Sequence, residues 1–130
     1  MSHKIFAKNV KRYLETINKP DVIYSAIPSL DVAKVAGEYA EKNNIKFIID
    51  IQDLWPEAFE MIFKVPILKD LIFYPMRKKA DKIYSMADSI IGVSNTYADR
   101  AGIVNKKYKH KLAVFLAVSY THLRAHETLS

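Results

Sequence analysis

The sequence predicts an α/β fold, a doubly wound parallel sheet of which only part is present. Short apolar runs at residues 21–26, 46–51 and 89–93 read as strands, and stretches of helical apolar spacing lie between them. The resulting order of strand, helix, strand, helix, strand is the pattern of a parallel sheet with crossover helices. The second run is the most telling, because IKFIIDI passes abruptly into QDLWPE at residues 52–57. A continuous apolar run suits a strand buried on both faces. Ligands of open α/β sheets bind beyond the carboxyl ends of such strands.

The elements follow in order. Residues 4–17 set Ile5, Phe6, Val10, Tyr13, Leu14 and Ile17 at helical spacing, and Asn18-Lys19-Pro20 ends that helix. Residues 21–26 form the first strand, with Ile27-Pro28-Ser29 as the loop at its carboxyl end. A helix over 30–42 is expected to turn Val32, Val35, Ala36 and Tyr39 inward before Asn43-Asn44 stops it. After the strand at 46–51, a long helical region begins at Pro56, with interruptions expected at Pro66 and Pro75. A strand at 89–93 leads to Ser94 and Asn95, good caps for a helix reaching about residue 101. Residues 111–116 read as a fourth strand.

Composition narrows the function classes. The chain has 130 residues, 50% apolar and 26% charged, which is one domain at most and not a disordered chain. No cysteine is present, which excludes disulfides, thiolate metal sites and a cysteine nucleophile. The first residues lack an apolar secretion signal, and the longest apolar stretches fall short of a membrane span. A cytoplasmic protein is expected, peripheral to the inner membrane face if it touches lipid. The net charge of +6 suits an anionic partner or merely scattered solvent-facing lysines. Aromatic and basic residues do not interleave, and no zinc-finger or helix-turn-helix pattern occurs, so nucleic acid is not an expected partner.

The candidate site residues cluster at predicted strand ends. Asp53 could orient or deprotonate a hydroxyl, or cap the helix starting near Pro56. Glu57 suits the positive end of that helix. Trp55, the single tryptophan, could stack on a sugar ring or an isoprenoid tail, or serve as packing that shapes a cleft. Ser25, Pro28 and Ser94 end the neighbouring strands, with Ser94 better placed as a cap. Residues 61–82 combine Phe63, Val65, Ile67, Leu68, Leu71, Ile72, Phe73 and Tyr74 with Arg77, Lys78, Lys79 and Lys82. That suits an interfacial helix whose Arg77, Lys78 and Lys79 meet anionic lipid, or a core helix with a solvated basic end.

Three blocks, KPDVIYSAIP at 19–28, IDIQDLWPE at 49–57 and ADSIIGVS at 87–94, resemble in order and spacing the N-terminal domain of glycosyltransferase family 4. The likeness is to bacterial enzymes that build capsular, O-antigen or exopolysaccharide units, and the Asp-x-Trp-Pro-Glu block is its specific part. The resemblance implies two Rossmann-like domains across a cleft, the GT-B arrangement. The N-terminal half holds a saccharide or lipid-linked acceptor and the C-terminal half a nucleotide-sugar donor. Transfer would retain anomeric configuration without bound metal or other cofactor. Asp53 would then act at the acceptor hydroxyl, with Trp55, Glu57, Ser25, Pro28 and Ser94 around the acceptor. Gly37, Gly92 and Gly102 are isolated, so the family's glycine-rich loop is expected upstream of this sequence, and the donor domain with its Glu-x7-Glu motif downstream. The chain alone is therefore expected to be inactive, with an unpaired edge on the strand at 21–26.

Residues 118–128, VSYTHLRAHET, resemble the in-frame translation of a transposon-end sequencing adapter. The expected division is a partial transferase domain over 1–116 and a non-native tail over 117–130. His122 and His126, four apart, fall in that tail without a third ligand, so no metal site is expected. The competing class is a self-contained α/β binding or signalling module. A receiver-like module would need an acidic pair after its first strand and a placed lysine after its last, and neither arrangement is found.

Overall fold

The computed structural model describes residues 2–27, 29–54, 66–105 and 112–113. Its elements are α1 (His3–Thr16), β1 (Val22–Ala26), α2 (Leu30–Asn43), β2 (Lys46–Ile51), α3 (Pro66–Met86), β3 (Ser89–Gly92), α4 (Asn95–Gly102) and β4 (Leu112–Ala113). Among the described residues the expected strands and helices are present, most of them within a residue or two of their expected bounds, while residues 56–65 of the long helical region and 111 and 114–116 of the fourth strand lie outside the described residues. The chain is thus an α/β structure with a parallel sheet in the order β1-β2-β3-β4.

β2 is the spine of the sheet. Its register sets Ile23 beside Phe47 and Ser25 beside Ile49 on one flank, and Ile49 beside Ile90 and Ile51 beside Gly92 on the other. Paired residues of a parallel ladder point to the same side. Phe47, Ile49, Ile51 and Ile90 are all buried on one face, joined by Ala33, Ala36 and Ala40 of α2, Ala80, Ile83 and Tyr84 of α3, and Ala101 of α4. On the other face, Val22 and Tyr24 are exposed and Ile48, Asp50 and Ile91 are half-buried. Strands added in chain order never reverse, so right-handed crossovers bring every linking helix to the same face. The two-sided cover of a doubly wound sheet is accordingly not found among the described residues.

The inner face of α2 differs from the expected one. Ala33, Ala36, Gly37 and Ala40 are buried, while Val32, Val35 and Tyr39 are only half-buried. Small residues win because they let the helix sit close to the sheet. A Cβ on Gly37 would stand 2.9 Å from Phe47 Cε1 and 2.6 Å from Met86 Cε. The helix ends as the two asparagines predict, with Asn44 left-handed at φ 53° and ψ 51°. The Ile45 and Asn44 N–H groups return to the Ala40 and Glu41 carbonyls at 2.9 and 3.3 Å, a Schellman closure.

α1 is an outer layer packed on α2, not a helix laid on the sheet. Ala7 and Leu14 are its buried residues, and Ile5, Phe6 and Tyr13 of the expected stripe are exposed. α3 is described from Pro66 onward, so the interruption expected at Pro66 borders residues outside the described ones. It then runs through Pro75 without the expected interruption. Proline at 75 cannot bond the carbonyl of Leu71. Both residues are exposed, so water can take that carbonyl and the helix continues.

Polar links hold the helices in place. Asn105, buried beneath α3, donates from Nδ2 to the carbonyls of Tyr84 and Ala87, each at 2.7 Å, and so closes the end of that helix. Between α2 and α3, Lys79 Nζ meets Asp31 Oδ1 at 2.6 Å and Lys82 Nζ meets Glu38 Oε1 at 2.9 Å. Arg100 joins α4 to α3 through Asp81 at 2.8 Å. The Lys79 hydrogen bond holds the Asp31 carboxyl below the usual carboxylate range against the opposing effect of burial. Lys82 does the same for Glu38.

Asn105→Ala should lower stability by about 2 kcal/mol, because two buried carbonyls lose their donor; urea midpoints measure this. The acidic partners give a pH signature. With folded pKa values lowered, their stabilisation is present above the unfolded carboxylate range and is lost as pH falls through the folded values. Asp31→Asn should cost under about 1 kcal/mol at neutral pH, since the pair is part-exposed, and should flatten the acid limb of a urea-midpoint profile against pH.

Candidate functional site

The parallel ladder brings three strand ends level. Ala26 lies beside Asp50 and Ile51 beside Gly92, so the segments that follow, Ile27, Gln52-Asp53 and Val93-Ser94, emerge along one edge. Backbone bonds extend the pairing past the strands. Ile27 N–H donates to the Asp50 carbonyl at 2.8 Å, and Val93 N–H to the Ile51 carbonyl at 3.4 Å. Asp53 is exposed on this edge, directly after the buried end of β2. The strand order does not reverse among the described residues, so the edge is not a topological switch point.

The other candidate residues distribute unevenly. Ser25 is buried on the helix-covered face beside Ile49, and its hydroxyl donates to the Ala26 carbonyl at 3.4 Å. It therefore lies beneath the edge instead of lining it. Ser94 is the N-cap of α4 and accepts from Tyr97 N–H at 3.4 Å, the capping role its sequence position suggests. Gly92 allows that close turn, since a Cβ there would stand 2.9 Å from the Ala98 nitrogen. Pro28, Trp55 and Glu57 lie outside the described residues, as do the 117–130 tail and its two histidines.

One cluster escaped the sequence. On the open face of the sheet, Tyr24 Oη donates to Asp50 Oδ2 at 2.5 Å, and Gln52 Nε2 donates to the same oxygen at 3.3 Å. The hydrogen bond to Asp50 raises the Tyr24 pKa above its ordinary 10.0, with burial and the carboxylate charge adding to it. Alternation in β2 does signal that Asp50 faces away from Ile49 and Ile51. Its meeting with Tyr24 depends on the β1–β2 register, which neither segment encodes alone. A carboxylate beside an exposed phenol ring is a set of groups that can hold hydroxylated ligands.

The basic trio does not act as one cluster. Lys79 is committed to Asp31, whereas Lys78 is exposed and sits over the Tyr74 ring at 5.6 Å. Arg77 is half-buried. A surface groove of about 380 Å³ lies between α1 and α2, lined by Lys11, Glu15, Tyr39, Lys42 and Asn43 among others. Tyr39, Lys42 and Asn43 lie at the end of α2, and its 14 residues carry that end roughly 20 Å from the strand-end edge. Among the described residues, no three His, Cys, Asp or Glu side chains converge on a metal-sized site.

The Tyr24–Asp50 contact has a direct signature. Absorbance titration should show one tyrosine ionising above the ordinary range, and Asp50→Asn should bring it back toward that range. The sign follows from the raised folded pKa. The contribution to stability is complete below the unfolded tyrosine value and is lost as pH rises through the folded one. Comparison of the chain with protein-family models, with curated proteins and with solved structures finds no match.

Proposed function

We propose that the chain is part of the acceptor-side domain of a retaining glycosyltransferase, of the family 4 type its sequence blocks resemble. The whole enzyme would move a sugar from a nucleotide-sugar to a saccharide or lipid-linked acceptor in cell-surface polysaccharide synthesis. The observation that carries the proposal is the placement of Asp53, exposed at the end of the buried central strand and level with the ends of both neighbours. A ligand lying along that edge is reached from several loops at once, which is how parallel sheets assemble sites.

In this proposal Asp53 accepts a hydrogen bond from the acceptor hydroxyl and fixes its direction toward the donor sugar. Trp55, two residues on, stacks against the acceptor, and Glu57 and Pro28 complete the rim. Ser94 holds α4 in position at the third strand end, and Ser25 supports β1 from below. Donor binding and the transfer step belong to a second domain. This chain contributes acceptor binding and no turnover of its own.

The single tryptophan gives the test, because it is the only indole in the sequence and follows Asp53 by two residues. Titration with oligosaccharides and polyprenyl-phosphate-linked sugars should shift or quench Trp55 emission. Asp53→Asn should weaken that binding about tenfold, the effect of losing a charged hydrogen-bond acceptor. An unchanged spectrum across the acceptor panel, or equal binding by Asp53→Asn, would remove the acceptor role.

A further inference from the structure

The open face of the sheet carries a carboxylate that, among the described residues, has no basic partner. Asp31 and Asp81, half-buried acids of α2 and α3, hold Lys79 and Arg100 at 2.6 and 2.8 Å. Asp50 is half-buried as well, yet its partners are neutral, the Tyr24 hydroxyl and the Gln52 amide. Both of these donate to Oδ2. Oδ1 therefore accepts from no described group, and it stays in reach of solvent. A carboxylate oxygen in that state is an acceptor for a ligand's hydrogen bond.

The surroundings of that oxygen are amphipathic. The register sets Ile48 beside Tyr24 and Ile91 beside Asp50 on the same face, and both isoleucines are half-buried. The Tyr24 ring is 56% exposed. An aromatic ring and two aliphatic side chains thus border a carboxylate oxygen and a primary amide, a mainly apolar surface with a few fixed polar groups. A sugar ring has the matching division, with C–H groups on its faces and hydroxyls around its rim. We propose that Tyr24, Ile48, Asp50, Gln52 and Ile91 form a saccharide-binding shelf on the open face of the sheet. The sugar lies with its C–H face against the Tyr24 ring and the two isoleucines. One hydroxyl donates to Asp50 Oδ1, and the adjacent one accepts the Gln52 Nε2 hydrogen not used on Asp50. A neutral ligand suits the shelf better than a cation, because the chain's net charge of +6 repels cations and neutral donors already hold Oδ2. Asp50 precedes Asp53 by three residues, roughly 10 Å of extended chain, so the shelf adjoins the strand-end edge. Naming its sugar as the next unit of the acceptor rests on the acceptor-side reading above.

Amide chemical-shift mapping tests the shelf and that reading separately. The probes are methyl glycosides of glucose, galactose, mannose and N-acetylglucosamine, linear tetrasaccharides of the same sugars, and tetramethylammonium chloride. At least one methyl glycoside should move the amides of Tyr24, Ile48, Asp50, Gln52 and Ile91. A tetrasaccharide should move these together with Asp53 and Ser94. Asp50→Asn should weaken glycoside binding about tenfold, the effect of losing a charged acceptor. Tyr24→Ala should weaken it about tenfold as well, while Tyr24→Phe, which keeps the ring, should stay within about threefold. The map of the unaltered chain needs no variant, so it decides even where Tyr24→Ala disturbs the sheet. Silence of the shelf toward every glycoside, equal binding by Asp50→Asn, or a stronger response to tetramethylammonium overturns the proposal. Movement of Asp53 and Ser94 without the shelf also overturns it and leaves the acceptor-side reading in place. Movement of the shelf without Asp53 and Ser94 supports the shelf and removes that reading.

Discussion

The structure depends on the burial of one strand. β2 pairs with β1 and β3 on its two sides, and its Phe47, Ile49 and Ile51 supply the floor on which α2, α3 and α4 converge. Burying each such side chain contributes about 1.5–3 kcal/mol, more than a part-exposed ion pair of under about 1 kcal/mol. The Asp31–Lys79 and Glu38–Lys82 contacts therefore align α2 with α3 more than they hold the molecule together. The start of β2 is fixed as well. Phe47 N–H donates to Asp88 Oδ2 at 2.9 Å while Asp88 N–H donates to the Phe47 carbonyl at 2.8 Å. That reciprocal pair ties the beginning of β2 to the turn between α3 and β3, and with it the level of the opposite ends.

The functional proposals follow from this one-sided construction. Because the connecting helices cover a single face, the strand ends open onto an edge, and the second face keeps Tyr24 and Asp50 in reach of solvent. Asp53 emerges where the apolar run of β2 gives out, so the residue that fixes the core also fixes the candidate acid. The exposed apolar start of α3 lies outside this system. That helix is anchored by Ile83, Tyr84 and the Asn105 bonds near its end, which leaves its first described turns to present Leu68 and Leu71 outward.

Much of the fold was legible in the sequence for simple reasons. The runs at 46–51 and 89–93 are apolar beyond what a loop would carry, and Asn43-Asn44 and Ser94 are strong local signals whose geometry is independent of the rest. What was not legible depends on partners distant in sequence. The α2 interface uses Ala33, Ala36, Gly37 and Ala40, which a search for large apolar residues passes over. Pro75 continues a helix because Leu71 happens to face water, a fact set by packing. The apolar stripe of α1 appeared inward-facing from spacing alone, yet among the described residues that helix packs mainly on α2, and half its apolar side chains stay outside. The strand-end edge was foreseen for Asp53, while the Tyr24–Asp50 pairing required the register.

The most direct measurement of the central claim is amide chemical-shift mapping of the chain with an oligosaccharide acceptor. If the strand-end edge is the ligand site, perturbed amides should cluster at Ile27, Ser29, Gln52, Asp53, Val93 and Ser94, converging from three segments far apart in sequence. Perturbations confined to Lys11, Tyr39 and Lys42 would place the ligand in the groove between α1 and α2 and contradict the account. So would a spectrum that no acceptor moves.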